Sequence, residues 1–113
     1  MLSIRRLALM MLAGLVMPGL GFAAVSPEVN GVEVVPEDGK VRLEISRIGD
    51  VEFKAFTMSD PDRLVVDCVG ARYDIRRVGD YPENEIVRGV RSSQYQTEPV
   101  MISRIVVDLK KRV

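Results

Sequence analysis

Side chains between residues 41 and 56 repeat with a period of two. Val41, Leu43 and Ile45 alternate with Arg42, Glu44 and Ser46, and Val51, Phe53 and Ala55 alternate with Glu52, Lys54 and Phe56. Successive side chains of an extended chain point to opposite faces, so each such segment offers one face to a core and one to water. Residues 32–35, 64–69 and 105–109 are further short runs rich in β-branched side chains, and 73–77 and 86–93 are weaker ones. Turn residues separate them: Glu37-Asp38-Gly39, Gly49-Asp50, Asp60-Pro61-Asp62, Gly70 and the loop at 79–84. Short strands with turns every ten residues or so predict an all-β fold, a small sandwich of two antiparallel sheets. No helix longer than a turn is expected.

The strands follow an address. Arg5 and Arg6 precede an uncharged apolar run at residues 7–17, which Pro18, Gly19 and Gly21 break. This is the layout of a secretory signal peptide over residues 1–23. Gly21 and Ala23 supply the small residues that signal peptidase needs three and one positions before the cut, so cleavage is expected after Ala23. The run is shorter than the roughly 20 apolar residues a spanning helix needs, so the mature chain is expected to carry no transmembrane anchor. No Cys follows the run, which excludes lipoprotein anchoring. Arg5-Arg6 fits twin-arginine export only loosely, and ordinary Sec export to the periplasm is the expectation. Residues 24–31, with Pro27 and Gly31, read as a flexible leader, and residues 32–113 as one domain.

Composition removes several function classes. Sixteen basic residues balance sixteen acidic ones in the 113-residue chain, and loss of residues 1–23 takes away only Arg5 and Arg6 among the charges. The mature chain is therefore close to neutral, without the clustered basic surface that nucleic acids require. There is no His and no Trp. A zinc hydrolase built on His and Glu ligands is excluded in its usual form, and neither a phosphate-binding Gly loop nor a Ser/His/Asp set is present. The chain reads as a non-enzyme with no metal and no cofactor. Its single Cys, Cys68, lies in an apolar run and reads as a small buried hydrophobe.

One internal repeat remains. Arg63-Leu64-Val65-Val66-Asp67-Cys68 recurs 41 residues later as Arg104-Ile105-Val106-Val107-Asp108-Leu109. In strands, each copy presents one apolar face (Leu64, Val66, Cys68; Ile105, Val107, Leu109) and one Arg-Val-Asp face. Two such strands fit equivalent places in the two halves of a pseudo-symmetric sandwich. Asp67 and Asp108 read as surface charges paired with the arginines, not as a catalytic carboxylate pair.

The repeat, with Asp60-Pro61-Asp62-Arg63 before its first copy, the stretch Val87-Arg88-Gly89-Val90-Arg91-Ser92-Ser93-Gln94-Tyr95, and Ser103-Arg104 leading the second copy, resembles the AMIN domain from about residue 32 to the end. Asp60, Pro61, Arg63, Asp67, Arg104 and Asp108 carry the motif. The resemblance implies a sandwich of two small antiparallel sheets in the bacterial envelope. It also implies a localisation module that binds peptidoglycan, of the kind found in periplasmic N-acetylmuramoyl-L-alanine amidases and type IV pilus secretins. The family's domain usually continues past the second copy with a loop and another strand or two, whereas this chain ends at Val113. A free-standing module and a truncated product both remain open.

For such a ligand the planar donor fork of Arg suits the carboxylates of muropeptide stems. The candidate binding residues are Arg91, Ser93, Gln94 and Tyr95, with Arg63 and Arg104. Arg91, Ser93 and Tyr95 share a face if the strand is regular, and Gly89 leaves room for a close approach. The bland alternative is a solvated strand face, with Arg63 and Arg104 paired to Asp108 and Asp67 across strands. The function expected is a non-catalytic envelope module binding peptidoglycan. The alternative is a protein-interaction module that docks by an edge strand onto a secretin, an amidase, a pilus component or another envelope partner.

Overall fold

The computed structural model describes residues 26–113, together with the backbone course of Leu7–Ala13. The expected cleavage point at Ala23 lies outside the described residues.

Eight strands make two sheets: β1 (Leu7–Ala13), β2 (Glu28–Glu37), β3 (Lys40–Ile48), β4 (Glu52–Met58), β5 (Arg63–Val69), β6 (Arg72–Tyr73), β7 (Val87–Gln96) and β8 (Ile102–Leu109). The first sheet has the order β1-β3-β2-β6 and the second β4-β5-β8-β7. The chain is an all-β sandwich, as its period-two pattern predicts. The second sheet is antiparallel throughout. The first is not: β2 and β3 form an antiparallel hairpin, but β6 joins β2 in parallel and β1 runs parallel to β3.

The β2–β3 hairpin turns at Gly39, whose φ of 73° suits a residue without a Cβ. Leu43 and Ile45 face the other sheet and are essentially inaccessible, while Arg42 and Glu44 alternate with them. β2 begins at Glu28, inside the segment 24–31 whose composition suggests a flexible leader. The reason is pairing and burial: Val29 is fully buried, and it pairs with Arg47 on one side and Tyr73 on the other. Val29 and Val32 are three residues apart, the wrong parity for one face of a regular strand. The register shift between Val29 and Gly31 inserts one extra residue and lets both turn inward.

The core draws on both sheets. Val29, Val32, Val34, Val41, Leu43 and Ile45 meet Leu64, Val66, Cys68, Ile105, Val107 and Leu109, and Ala71, Ile75, Ile86 and Val87 close it. The apolar faces expected of the two repeat copies are thus both buried. Their placement differs from the expectation, however. The copies are not in equivalent halves of the sandwich; they are β5 and β8, antiparallel neighbours at the centre of one sheet. The short run at 73–77 yields only the two-residue β6, while 86–93 extends into the ten-residue β7.

Candidate functional site

Antiparallel pairing of the two repeat copies fixes what the outer face of the second sheet displays. In the register Arg63 stands opposite Asp108, Val65 opposite Val106, and Asp67 opposite Arg104. An Arg-x-Val-x-Asp strand laid antiparallel on its own copy places a cation against an anion at each end and apolar side chains between. β4 adds Lys54 beside Asp67, Phe56 beside Val65 and Met58 beside Arg63. On the other flank β7 adds Ser93 beside Arg104, Arg91 beside Val106 and Gly89 beside Asp108.

Arg104 is the hub of this face. Its Nε and Nη2 donate to the two carboxylate oxygens of Asp67 at 2.7 and 3.0 Å. Its guanidinium carbon lies 3.5 Å from the Tyr95 ring centroid and 5.9 Å from that of Phe56. The hydrogen bond to Asp67 is the main cause that holds the Arg104 pKa above its ordinary value; partial burial works against it, and the Asp67 charge adds to it. Planar stacking of this kind suits Arg, whose flat, weakly hydrated cation rests on a ring face.

Tyr95 reaches this position through an irregularity. Gln94 pairs with Ser103 and Gln96 with Ile102, so Tyr95 is the extra residue of a bulge. A bulge re-aims its side chain, and here the ring rests on Arg104 and is still 52 % exposed. Phe56, on the edge strand, is 41 % exposed, and Met58 beside it on the same face is also exposed. Val65, between Phe56 and Val106 on the outer face, is nevertheless buried.

The second arginine pair is more open. Arg91 Nε and Nη2 donate to Asp108 at 2.9 Å each, with the Arg91 side chain 66 % exposed. Its pKa is raised by that hydrogen bond and by the Asp108 charge. Arg63, which faces Asp108 in the register, instead donates to the carbonyl of Pro61 at 2.9 Å. Gly89 opposite Asp108 leaves open space: a Cβ there would meet nothing within 4 Å.

Of the residues singled out from the sequence, Arg91, Ser93, Tyr95, Arg63 and Arg104 share this outer face. Gln94 turns the other way. Its side-chain oxygen accepts from the Tyr73 amide at 2.7 Å, and its nitrogen donates to the carbonyls of Ile102 at 3.0 Å and Gln96 at 3.2 Å. Gln94 is a tie between strands and loops. Phe56 and Met58 were not among the candidates. Their signal was legible in principle, since they share the parity of Lys54 and not that of the inward Phe53.

Elsewhere, a hollow of about 360 Å³ lies between the β2–β3 turn (Pro36 to Val41) and residues 84–86, and one of about 310 Å³ lies among Thr57, Met58, Ser59, Asp62, Leu109, Arg112 and Val113. Among the described residues no three His, Cys, Asp or Glu side chains gather as metal ligands, and no helix is long and apolar enough to cross a membrane. Cys68 is fully buried, and burial, with the neighbouring Asp67 charge, pushes its thiol pKa up to about 12.

Comparison with known families decides the relationship: the AMIN domain matches residues 31–113. The chain belongs to the AMIN domain family. AMIN domains are non-catalytic modules of periplasmic proteins, serving localisation and peptidoglycan binding. The matched span runs through both repeat copies and the β7 bulge, so the outer face of the second sheet lies wholly within the AMIN domain. No curated protein matches the chain in a direct sequence comparison.

Proposed function

We propose that residues 1–23 direct this AMIN domain to the periplasm, and that it there binds peptidoglycan through the outer face of its second sheet. The observation that carries this reading is the group of Phe56, Arg104 and Tyr95 at the Arg104 end of that face, with both rings exposed. Large flat side chains normally cover a core; here two rings beside a guanidinium are left about half exposed. AMIN domains are non-catalytic modules, and the carboxylates Asp67 and Asp108 of this face are engaged by arginines.

The test is co-sedimentation with purified sacculi of the protein recovered from the periplasm. N-terminal sequencing of the same sample should begin at Ala24. Pelleting with sacculi, weakened when the stack is broken by Arg104→Ala, is the expected result. A folded protein that remains in the supernatant refutes wall binding.

A second reading rests on the edges. β4 closes one end of the second sheet, its outer side unpaired among the described residues, and the backbone of Leu7–Ala13 lies along the edge of β3. Edge strands accept strands from other chains. Capture of an envelope protein that is lost on Phe56→Pro and Thr57→Pro, neighbours whose amides point to opposite sides of the strand, would favour this reading.

A further inference from the structure

We infer that the wall component recognised by this face is the sugar backbone of the glycan strand, stacked on Tyr95 and Phe56, and not the carboxylates of the peptide stems. The inference rests on the wall-binding reading and specifies its ligand.

The arginines argue against the stems. A carboxylate is best gripped by the two parallel N–H groups of a guanidinium fork. In Arg104 and Arg91 the Nε–Nη2 side of that fork is already filled, by Asp67 and Asp108. Each pair is electrically compensated. A stem carboxylate approaching either one meets a carboxylate already in place and must displace it or accept its repulsion. The remaining charges of the face, Glu52, Lys54 and Arg63, make no ion pair among the described residues and leave one net positive charge. One partly solvated charge is a weak field for an anion.

The rings argue for sugars. An aromatic face carries negative partial charge, and the C–H groups along one face of a pyranose carry weak positive charge, so the two stack without ionic help. Stacking needs the ring held at a fixed angle and open on one side. Tyr95 meets both needs: the bulge and the Arg104 plane at 3.5 Å hold one face, and half of the residue is exposed. Phe56 offers a second surface on the far side of the same guanidinium. Around the rings are short polar groups suited to sugar hydroxyls and acetamides. Ser93 beside Arg104 is exposed, and the Nη1 of Arg104 is left over from its bond to Asp67.

The experiment compares competitors for binding to intact sacculi. Digestion with an N-acetylmuramoyl-L-alanine amidase separates peptide-free glycan strands from stem peptides; the lactyl carboxylates this hydrolysis exposes on the glycan are capped as amides, and each fraction is added to the protein pelleting with sacculi. Glycan strands should release the protein and stem peptides should not. Tyr95→Ala and Phe56→Ala should each weaken binding roughly tenfold, the worth of one lost ring-stacking contact. Lys40→Ala, at the hairpin turn of the other sheet, should leave binding unchanged. Because Tyr95 and Phe56 are exposed, circular dichroism of both variants should match the parent. Release by stem peptides but not by glycan strands overturns the sugar assignment and leaves wall binding intact. Absence of pelleting with intact sacculi removes both.

Discussion

Removing the carboxylate of Asp67 isolates the interaction on which the outer face is organised. Asp67→Ala deletes two charge-assisted hydrogen bonds, at 2.7 and 3.0 Å, from side chains that are 14 % and 24 % exposed. A fully exposed ion pair contributes about 0.2–1 kcal/mol, and hydrogen bonds to buried charged groups about 1.5–3 kcal/mol each. The Asp67–Arg104 pair lies between these limits. The freed guanidinium keeps its Tyr95 ring and gains water, so the loss should be about 1.5 kcal/mol. For a domain of this size that corresponds to a Tm lower by roughly 6–12 °C. The assay is urea unfolding of the parent, Asp67→Ala, Arg104→Ala and the double variant, closed as a thermodynamic cycle. The coupling should be about 1 kcal/mol and should survive 0.5 M salt, since partial burial limits screening. The same cycle on Asp108 and Arg91 should give a smaller coupling that salt removes, because Arg91 is mostly exposed. Equal couplings for the two pairs, or none for the inner one, would refute the claim that the inner pair orders the face.

Other outcomes follow from the interior. Cys68 should resist iodoacetamide at pH 8 in the folded protein and react only on unfolding. Its pKa is raised from 9.0 to about 12, so the folded state holds the thiol proton more tightly than the unfolded one. That contribution to stability is complete below pH 9 and is lost as pH rises towards 12, so the urea midpoint should fall more steeply between pH 9 and 11 in the parent than in Cys68→Ala. Gln94→Ala should lower stability by about 1–3 kcal/mol, because it strands the Tyr73 amide and two carbonyls, while leaving sacculus pelleting of the folded fraction unchanged. Leu43→Ala, at a fully buried site, should cost about 2–5 kcal/mol in urea unfolding.

The strands of the hairpin were readable from alternation alone, because a half-buried strand must write its two faces into every second residue. The central strands were readable twice over, through their apolar faces and through the repeat. Their mutual pairing was not. Period and repetition say that Arg63–Val69 and Ile102–Leu109 are alike, but not whether like strands sit in different sheets or side by side. The bulges were equally hidden. Val29 and Val32, or Gln94 and Gln96, break the parity of a regular strand, and only a partner strand shows where the extra residue goes. Gln94 read as a ligand group beside Tyr95, although strict alternation already turns it from the face of Ser93, and its side chain ties Tyr73 to Gln96 and Ile102. Segment 28–31 read as leader because its pairing partners are Ser46, Arg47, Ile48, Arg72 and Tyr73, and none is near in sequence.

The repeat is symmetric and the face it builds is not, and the difference comes from the flanking strands. Antiparallel copies of Arg-x-Val-x-Asp offer two equivalent ion pairs, Arg63 with Asp108 and Arg104 with Asp67, but only the second forms. At the other end β7 presents Gly89 opposite Asp108, Arg91 pairs with Asp108, and Arg63 donates instead to the Pro61 carbonyl. At the Arg104 end β7 presents Ser93 and the bulged Tyr95, and the edge strand presents Phe56. One end of the face therefore holds Arg91 on Asp108 with Arg63 turned to a loop carbonyl, and the other holds Arg104 on Asp67 beside Tyr95 and Phe56. Arg63→Ala should consequently change little, whereas restoring a side chain at position 89 (Gly89→Thr) should block the Arg91 crossing and return Arg63 to Asp108. Appearance of the Arg63–Asp108 coupling in that background, measured by the same unfolding cycle, would establish that neighbours and not the repeat decide which pair forms; persistence of the Arg91 pair would refute the role given to position 89.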